Sequence, residues 1–400
     1  EAVLSRIQFE NPWWVTSLPE SEFTRMERRP MFNGFFALVT EKAVQRSVVL
    51  MGPRRVGKTV MMQQAIAGLI ADGVNPGKIA FVSVENPLYA GLTPESIFTY
   101  IRKANGDSSA EGWYIFLDEI QYMQDWELHL KVLTDSYKSV KFIVSGSSAA
   151  ALQLKSRESG AGRFSDFYLP ALGFYEFIYL KKKDHLLQRA GQSYTGGVGN
   201  LYTTAHIKEV NREFLDYINF GGYPETVLSD AVANNPERYI RNDIIDKVLL
   251  RDLPTLYGIE DIRELNRLFG TLVYNSGGEV SYQSLSNSSG IHKKTLQKYL
   301  TYLESAFLIS IVHRIDDNAK SFKRADYFKV YITNPSIRSA IFSPVDSTDA
   351  AMGRQVETAI YTQWLFKGKS FPVYARWTKG RFQGEVDMIG LRKDTFGAAW

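Results

Sequence analysis

Between residues 47 and 150 the chain alternates short, continuous apolar runs with longer stretches of helical spacing. "SVVLM", "KIAFVSVEN", "WYIFLDE" and "KFIVSGSS" each end in polar or glycine residues. Apolar runs of this kind predict strands buried on both faces of a parallel sheet, and the stretches between them predict crossover helices. In such a sheet ligands bind at the carboxyl ends of the strands, where each run turns polar. From about Phe174 to Leu256 the pattern becomes helical, with "EFLDYINF" and "PERYIRNDIIDKVLLRDL" keeping apolar residues at three and four spacing around the break "GGYP". Residues 260–332 give three short helical patterns and two extended runs, "FLISIVHRI" and "DYFKVYITN". Beyond them "GRQVETAIYTQWLF" is helical, and "FPVYARW" and "QGEVDMIGL" alternate like strands. There is no internal repeat, low-complexity tract or long linker.

Composition narrows the class. A chain of 400 residues exceeds what one core usually serves, so two or three domains are expected. With 44% hydrophobic and 22% charged residues it reads as an ordinary globular protein. The net charge of +4 is small for this length, so only the distribution of charge bears on nucleic acid. The absence of cysteine excludes disulfides, cysteine-ligated zinc and a thiol nucleophile, and a reducing cytoplasm is the expected location. No run approaches the roughly 18 to 20 apolar residues that span a bilayer, and no secretory leader pattern opens the chain, so no membrane partner is expected. The sequence opens at Glu1 and stops at Trp400 within a patterned region, so both ends read as trimmed.

The first candidate chemistry follows the run "SVV". Gly52, Gly57, Lys58 and Thr59 satisfy G-x-x-x-x-G-K-[ST] between a predicted strand and a predicted helix, the context this motif requires. Gly52, Pro53, Arg54, Arg55, Val56, Gly57, Lys58, Thr59 and Val60 are therefore expected to wrap the phosphates of ATP. Glycines let backbone N–H groups point inward, Lys58 reaches the β and γ phosphates, and the Thr59 hydroxyl ligates Mg²⁺. In "WYIFLDEIQ" a buried run delivers Asp118 and Glu119 to the end of a strand. A carboxylate pair left uncompensated there carries a large desolvation and repulsion penalty, which a metal ion removes. Asp118 is accordingly expected to serve Mg²⁺ through water, and Glu119 to polarise the attacking water.

At this point the chain resembles a known family. "NPWW" at 11–14, "GPRRVGKT", "FLDEIQ", "VSGSSA", "GRFSDFYLPALGFYEF" and "FGGYPETV" are similar, in this order, to the uncharacterised prokaryotic AAA-superfamily ATPases of archaeal type. The resemblance implies a helical lid, a winged helix and a C-terminal domain like restriction endonucleases after the ATPase core. It further implies that Ser145 or Ser147 senses the γ phosphate, the alternative being a serine that satisfies a turn. Arg163 in "GAGRF" would complete a neighbouring subunit's site in a homo-oligomer, or is simply a surface arginine. Gly222 and Pro224 form a G-x-P like the lid motif that touches adenine, although a break between helices also accounts for them.

Two segments bear on a nucleic-acid partner. "SYQSLSNSSGIHKKTLQKYLTYLESAFLISIV" reads as helix, glycine turn, helix and strand, the order of a winged helix-turn-helix. His292, Lys293, Lys294 and Lys298 open its second helix, and Arg314, Lys320, Lys323, Arg324 and Lys329 follow. Residues 291–330 thus hold eight Lys or Arg against four Asp or Glu, a patch that would bind phosphates with little sequence reading, or else a packing module with solvated charges. In the tail, Glu357 lies on a helix while Glu385 and Asp387, at spacing two, share one strand face; together they are a possible second metal site. Nucleases of that kind also need a following E-x-K, and Lys393 is not in that pattern.

The expected fold class is α/β: a P-loop ATPase core with parallel sheet and N-terminal segment over 1–170, and a helical lid over 171–258. A winged helix over 259–334 and a partial endonuclease-like α/β domain over 335–400 complete it. The expected reaction is Mg²⁺-dependent ATP hydrolysis, coupled to nucleic acid, with a nucleotide-driven assembly or signalling switch and an ATP-regulated nuclease as alternatives.

Overall fold

The computed structural model describes residues 1–17, 22–146, 162–189, 202–315, 326–365, 372–379 and 381–389. The chain divides into two compact units, Glu1–Leu169 and Pro170–Trp400.

In the first unit the apolar runs form β1 (Ser47–Met51), β2 (Ile79–Ser83), β3 (Tyr114–Asp118) and β4 (Lys141–Gly146). With β5 (Phe164–Tyr168) they build a five-stranded sheet in the order β2-β3-β4-β1-β5, every neighbouring pair parallel. β1 and β3 are buried along their whole length, which is why their sequences carry no alternation. The hydrophobic pattern does not announce β5, because "FSDFY" lies at an edge, is only partly buried and lacks a continuous apolar run. Helices Lys58–Ala71, Pro94–Asn105 and Trp126–Ser136 make the crossovers. All the strand carboxyl ends of a parallel sheet point the same way, so the ends of β1, β3 and β4 meet on one edge.

The edge strand across the sheet from β5, β2, is covered by the N-terminal segment. Asn11, on the turn after the helix Ala2–Glu10, accepts from Phe81 N (2.6 Å) and donates to Phe81 O (2.8 Å), acting as a single residue of extra strand. The indole N–H groups of Trp13 and Trp14 both donate to Ile79 O, at 2.9 and 2.7 Å. "NPWW" therefore satisfies the backbone groups that an edge strand would otherwise present to another chain.

In the second unit the helices Phe174–Leu180 and Ile207–Phe220 pack around a core of Phe177, Ile178, Tyr217, Ile218, Val345 and Ala359. β6 (Gln188–Arg189) and β7 (Tyr202–Thr203) form a small antiparallel ladder. Helices Ile262–Tyr274, Tyr282–Ser289 and Lys293–Ser305 accompany β8 (Glu279–Ser281), β9 (Ile309–Ile315) and β10 (Tyr327–Ile332). β11 (Val373–Lys379) and β12 (Phe382–Ile389) extend the same sheet, in the order β12-β11-β9-β10-β8. β8, β10 and β9 are antiparallel, whereas β11 runs parallel to β9, so the extended runs of 309–332 and of the tail lie in one sheet. Among the described residues no helix is long and apolar enough to cross a membrane.

Candidate nucleotide site

β1 ends at Met51, and the loop that follows reaches the helix starting at Lys58 within six residues, Gly52 to Gly57. Two glycines make that path possible. A Cβ on Gly52 would stand 2.1 Å from the Leu169 carbonyl oxygen, and Gly57 has φ +92°, which a side chain disfavours. Lys58 is buried, and its ammonium donates to Gly52 O (3.0 Å) and Pro53 O (2.8 Å), so it lies across the loop rather than out in solvent. Val56 is buried, while Arg55 at the loop's crest is exposed, with φ 61°. Arg54, Thr59 and Val60 are partly buried.

Asp118, the last residue of β3, is brought directly against this loop. Thr59 Oγ1 donates to Asp118 Oδ2 at 2.6 Å, although the two are 59 positions apart. From β4, the fully buried Ser145 hydroxyl donates to Asp118 Oδ1 and accepts from the Glu119 N–H at 3.1 Å. Burial, and then the Glu119 charge beside it, push Asp118 up to about 6, against the opposing pull of Ser145, Thr59 and Lys58. Glu119 sits in the left-handed region at φ 59°, an uncommon place for a non-glycine residue, and its carboxylate accepts from the Gln121 side-chain amide. Sequence reading missed Gln121; the only signal was its place two residues after the acidic pair.

The donor set fits the groups the motif calls for. A carboxylate raised by burial and then by its neighbour's charge, with a threonine hydroxyl on it, supplies hard oxygen ligands and a local excess of negative charge. Beside it the glycine loop and an ammonium suit phosphate oxygens. Mg²⁺ bound to nucleotide phosphates would be held by Thr59 and Asp118, and the phosphates by the loop 52–59.

Ser147 lies outside the described residues. Arg163 directly precedes β5, and its carbonyl accepts from Ser47 N at the amino end of β1, the end opposite the phosphate loop. Its guanidinium holds the Asp135 carboxylate at 2.9 Å through Nε, so it takes no part in its own chain's phosphate site. In the second unit Gly222 is fixed by packing: its N–H donates to Ser336 Oγ at 3.1 Å, its carbonyl accepts from Leu172 N at 2.9 Å, and a Cβ would meet Asn334 Nδ2 at 1.9 Å. Pro224 opens the short helix Pro224–Leu228.

In the same unit Glu357, Glu385 and Asp387 do converge, but on an ammonium. The Lys329 side chain is only 4% exposed, and its Nζ lies 2.5 Å from Glu385 Oε1, 2.6 Å from Asp387 Oδ1 and 4.0 Å from Glu357 Oε1. Tyr331 OH donates to Glu357 Oε1 at 2.5 Å. At the possible second metal site the three carboxylates thus form an ion-pair cluster with Lys329, whose ammonium offsets part of their gathered charge. Among the described residues no group of three or more His, Cys, Asp or Glu is arranged to hold a metal ion. Lys329 also leaves the basic patch to which the sequence assigned it, and Lys320, Lys323 and Arg324 lie outside the described residues. Lys294 and Lys298 remain exposed, one helical turn apart.

A parallel sheet in this order, with a glycine loop after β1 and an acidic pair after β3, is the core of a P-loop ATPase. Residues 44–178 match the family described as an AAA domain. Residues 211–348 match a domain of unknown function, DUF8612. An uncharacterized protein of Haemophilus influenzae is 24% identical over 86% of this chain and 80% of its own length. The uncharacterized protein MJ1544 of Methanocaldococcus jannaschii is 24% identical over 71% of this chain and 59% of its own length. Among solved structures, the Walker-type ATPase PABY2304 of Pyrococcus abyssi aligns with 79% of this chain and 98% of its own, at 14% identity and a TM-score of 0.43. C. elegans PCH-2 aligns with 50% of this chain and 63% of its own, at 12% identity and a TM-score of 0.33.

Proposed function

We propose that the chain hydrolyses ATP to ADP and phosphate with Mg²⁺, and that hydrolysis drives a change of state in a cytoplasmic homo-oligomer. The observation that carries this is the direct contact of Thr59 with Asp118, which joins the phosphate loop to the acidic strand end. Bound Mg²⁺ supplies charge neutralisation between the phosphates. The chain's own groups do the rest. The loop N–H groups and Lys58 bind and orient the phosphates, Asp118 and Thr59 hold the cation's position, and Ser145 fixes the Asp118 carboxylate. Glu119 accepts a proton from the attacking water, aimed by its left-handed backbone and by Gln121. Arg163, at the far end of β1, is presented to a second copy in this reading.

A second reading, a slow nucleotide switch, is favoured by the same Gln121 contact, because a carboxylate engaged by an amide must be released before it takes a proton. DNA is the proposed partner in the first reading. The helix pair 282–289 and 293–305, joined at Gly290 and backed by β8, β9 and β10, supports a winged-helix arrangement, with Lys294 and Lys298 facing outward.

The test is hydrolysis by wild type, Lys58→Ala and Glu119→Gln, each with and without duplex DNA. Lys58→Ala is expected to abolish ATP binding. Glu119→Gln should keep binding and lose at least about a hundredfold in turnover. Stimulation by DNA selects the first reading, and slow, DNA-independent turnover selects the switch. Wild-type turnover in Glu119→Gln would remove the site assignment.

A further inference from the structure

Arg29 lies outside every motif above, yet its side chain is buried at 7% exposure and its Nη1 donates to Val56 O at 3.0 Å. A buried arginine is uncommon and requires partners; here one partner is a carbonyl of the phosphate loop itself. The peptide between Val56 and Gly57 is planar and trans, so its C=O and N–H point in opposite directions. Holding Val56 O on the Arg29 side therefore turns the Gly57 N–H toward the opposite side of the loop, away from Arg29. Gly57, at φ +92°, has a backbone with little preference of its own, so an external grip is what selects this orientation.

The grip is rigidly mounted. Upstream, Gln64 on the helix Lys58–Ala71 donates to Phe23 O (3.3 Å) and Met26 O (2.9 Å), pinning the chain just before Arg29. Downstream, the helix Phe32–Thr40 packs so tightly that a Cβ on Gly68 would stand 2.9 Å from the Phe36 ring. Arg29 is thus bracketed by two contacts with the very helix that the phosphate loop opens, and cannot drift while that helix is folded. Its guanidinium also places a permanent positive charge behind the loop, where phosphate charge would gather.

We propose that Arg29 is a positioning residue for phosphate binding, orienting the Val56–Gly57 peptide of the loop toward the β and γ phosphates. This rests on the nucleotide-site reading above. The test measures equilibrium binding of ATP, ADP and AMP to wild type, Lys58→Ala, Arg29→Met and Arg29→Lys, with thermal melting as a check on folding. Arg29→Met is expected to weaken ATP and ADP about tenfold or more, the size of a charge-assisted hydrogen bond, while AMP changes by less than about twofold. Arg29→Lys, which keeps the charge but loses the planar fork, should recover part of that loss. Equal weakening of all three nucleotides, or unchanged ATP affinity in a folded Arg29→Met, overturns the inference. If Arg29→Met does not fold, Arg29→Lys decides alone: a loss confined to ATP and ADP supports it, and no such loss overturns it. Failure of the two readings is distinguishable. ATP binding that is absent in wild type, or unaffected by Lys58→Ala, removes the site itself, whereas binding that needs Lys58 but ignores Arg29 removes only this assignment.

Discussion

Asp118 shows how a single residue is asked to do something that folding alone would refuse. Its folded value of about 6 lies above the ordinary 3.8, so between these two values the native state binds more protons than the unfolded chain. Stability therefore falls as pH rises through that window, and the ionised carboxylate is a standing cost at neutral pH. Asp118→Asn is expected to raise stability at pH 7.5 by on the order of 2 kcal/mol, flatten the dependence between pH 4 and 6, and abolish Mg²⁺-dependent hydrolysis. Urea unfolding across pH checks the first two, and a phosphate-release assay the third. A loss of stability at pH 7.5 would mean that the Thr59 and Ser145 hydrogen bonds outweigh the charge repulsion.

At the scale of elements, the least regular segments prove to fix the edges and seams of the sheets. Asn11 closes the exposed side of β2 through both backbone groups of Phe81, and its amide also donates to Ile7 O at 2.7 Å. Asn11→Ala strips partners from buried backbone groups, so a loss of about 1–3 kcal/mol is expected in denaturant unfolding, with faster aggregation in light scattering as β2 becomes an open edge. In the second sheet Lys329 joins β10 to β12 and to the helix Met352–Trp364. Burial alone would lower its proton affinity, but Asp387 and Glu385 outweigh burial and hold it above the usual 10.5. Such a group stabilises fully at neutral pH, and its contribution is lost only as pH climbs past that range. Lys329→Met should cost about 2 kcal/mol at pH 7.5, less than a fully buried pair because the carboxylates are partly solvated. The gap between variant and wild type should narrow as pH rises beyond the ordinary lysine range, and urea midpoints measured at pH 7.5 and above that range test it.

At the scale of the molecule, the position of Arg163 bears on assembly. It stands at the amino end of β1, salt-bridged to Asp135, while the phosphate loop lies at the carboxyl end. If Arg163 completes a site, the site is in another copy, and mixing Arg163→Ala with excess Lys58→Ala should restore part of the ATPase rate that each lacks. No recovery under conditions where labelled subunits exchange would leave the Arg163–Asp135 pair as a surface contact. Particle mass with and without a slowly hydrolysed ATP analogue, measured in parallel, reads the assembly itself.

Much of the nucleotide site was legible in the chain because its parts are local. The G-x-x-x-x-G-K-T spacing, the buried run ending in Asp118 and Glu119, and the strand carrying Ser145 each announce themselves within ten residues or so, and parallel strands must bring their ends to one edge. What the sequence could not hold was pairing over distance. Nothing near Arg29 indicates that it will grip Val56, and nothing in "NPWW" says that its side chains will finish a strand at 79–81. Lys329 read as one more charge in a basic stretch, although its neighbours in space come from positions 357, 385 and 387. The spacing of Glu385 and Asp387 set both on one strand face, but nothing local to them indicates that the Lys329 ammonium of β10, which two strands separate from β12 in the sheet order, meets them. Local pattern determines which elements form and which ends carry chemistry. The partner of a buried charge or an unpaired backbone group is settled only when the chain closes on itself, because burial makes that partner necessary and sequence distance does not constrain who supplies it.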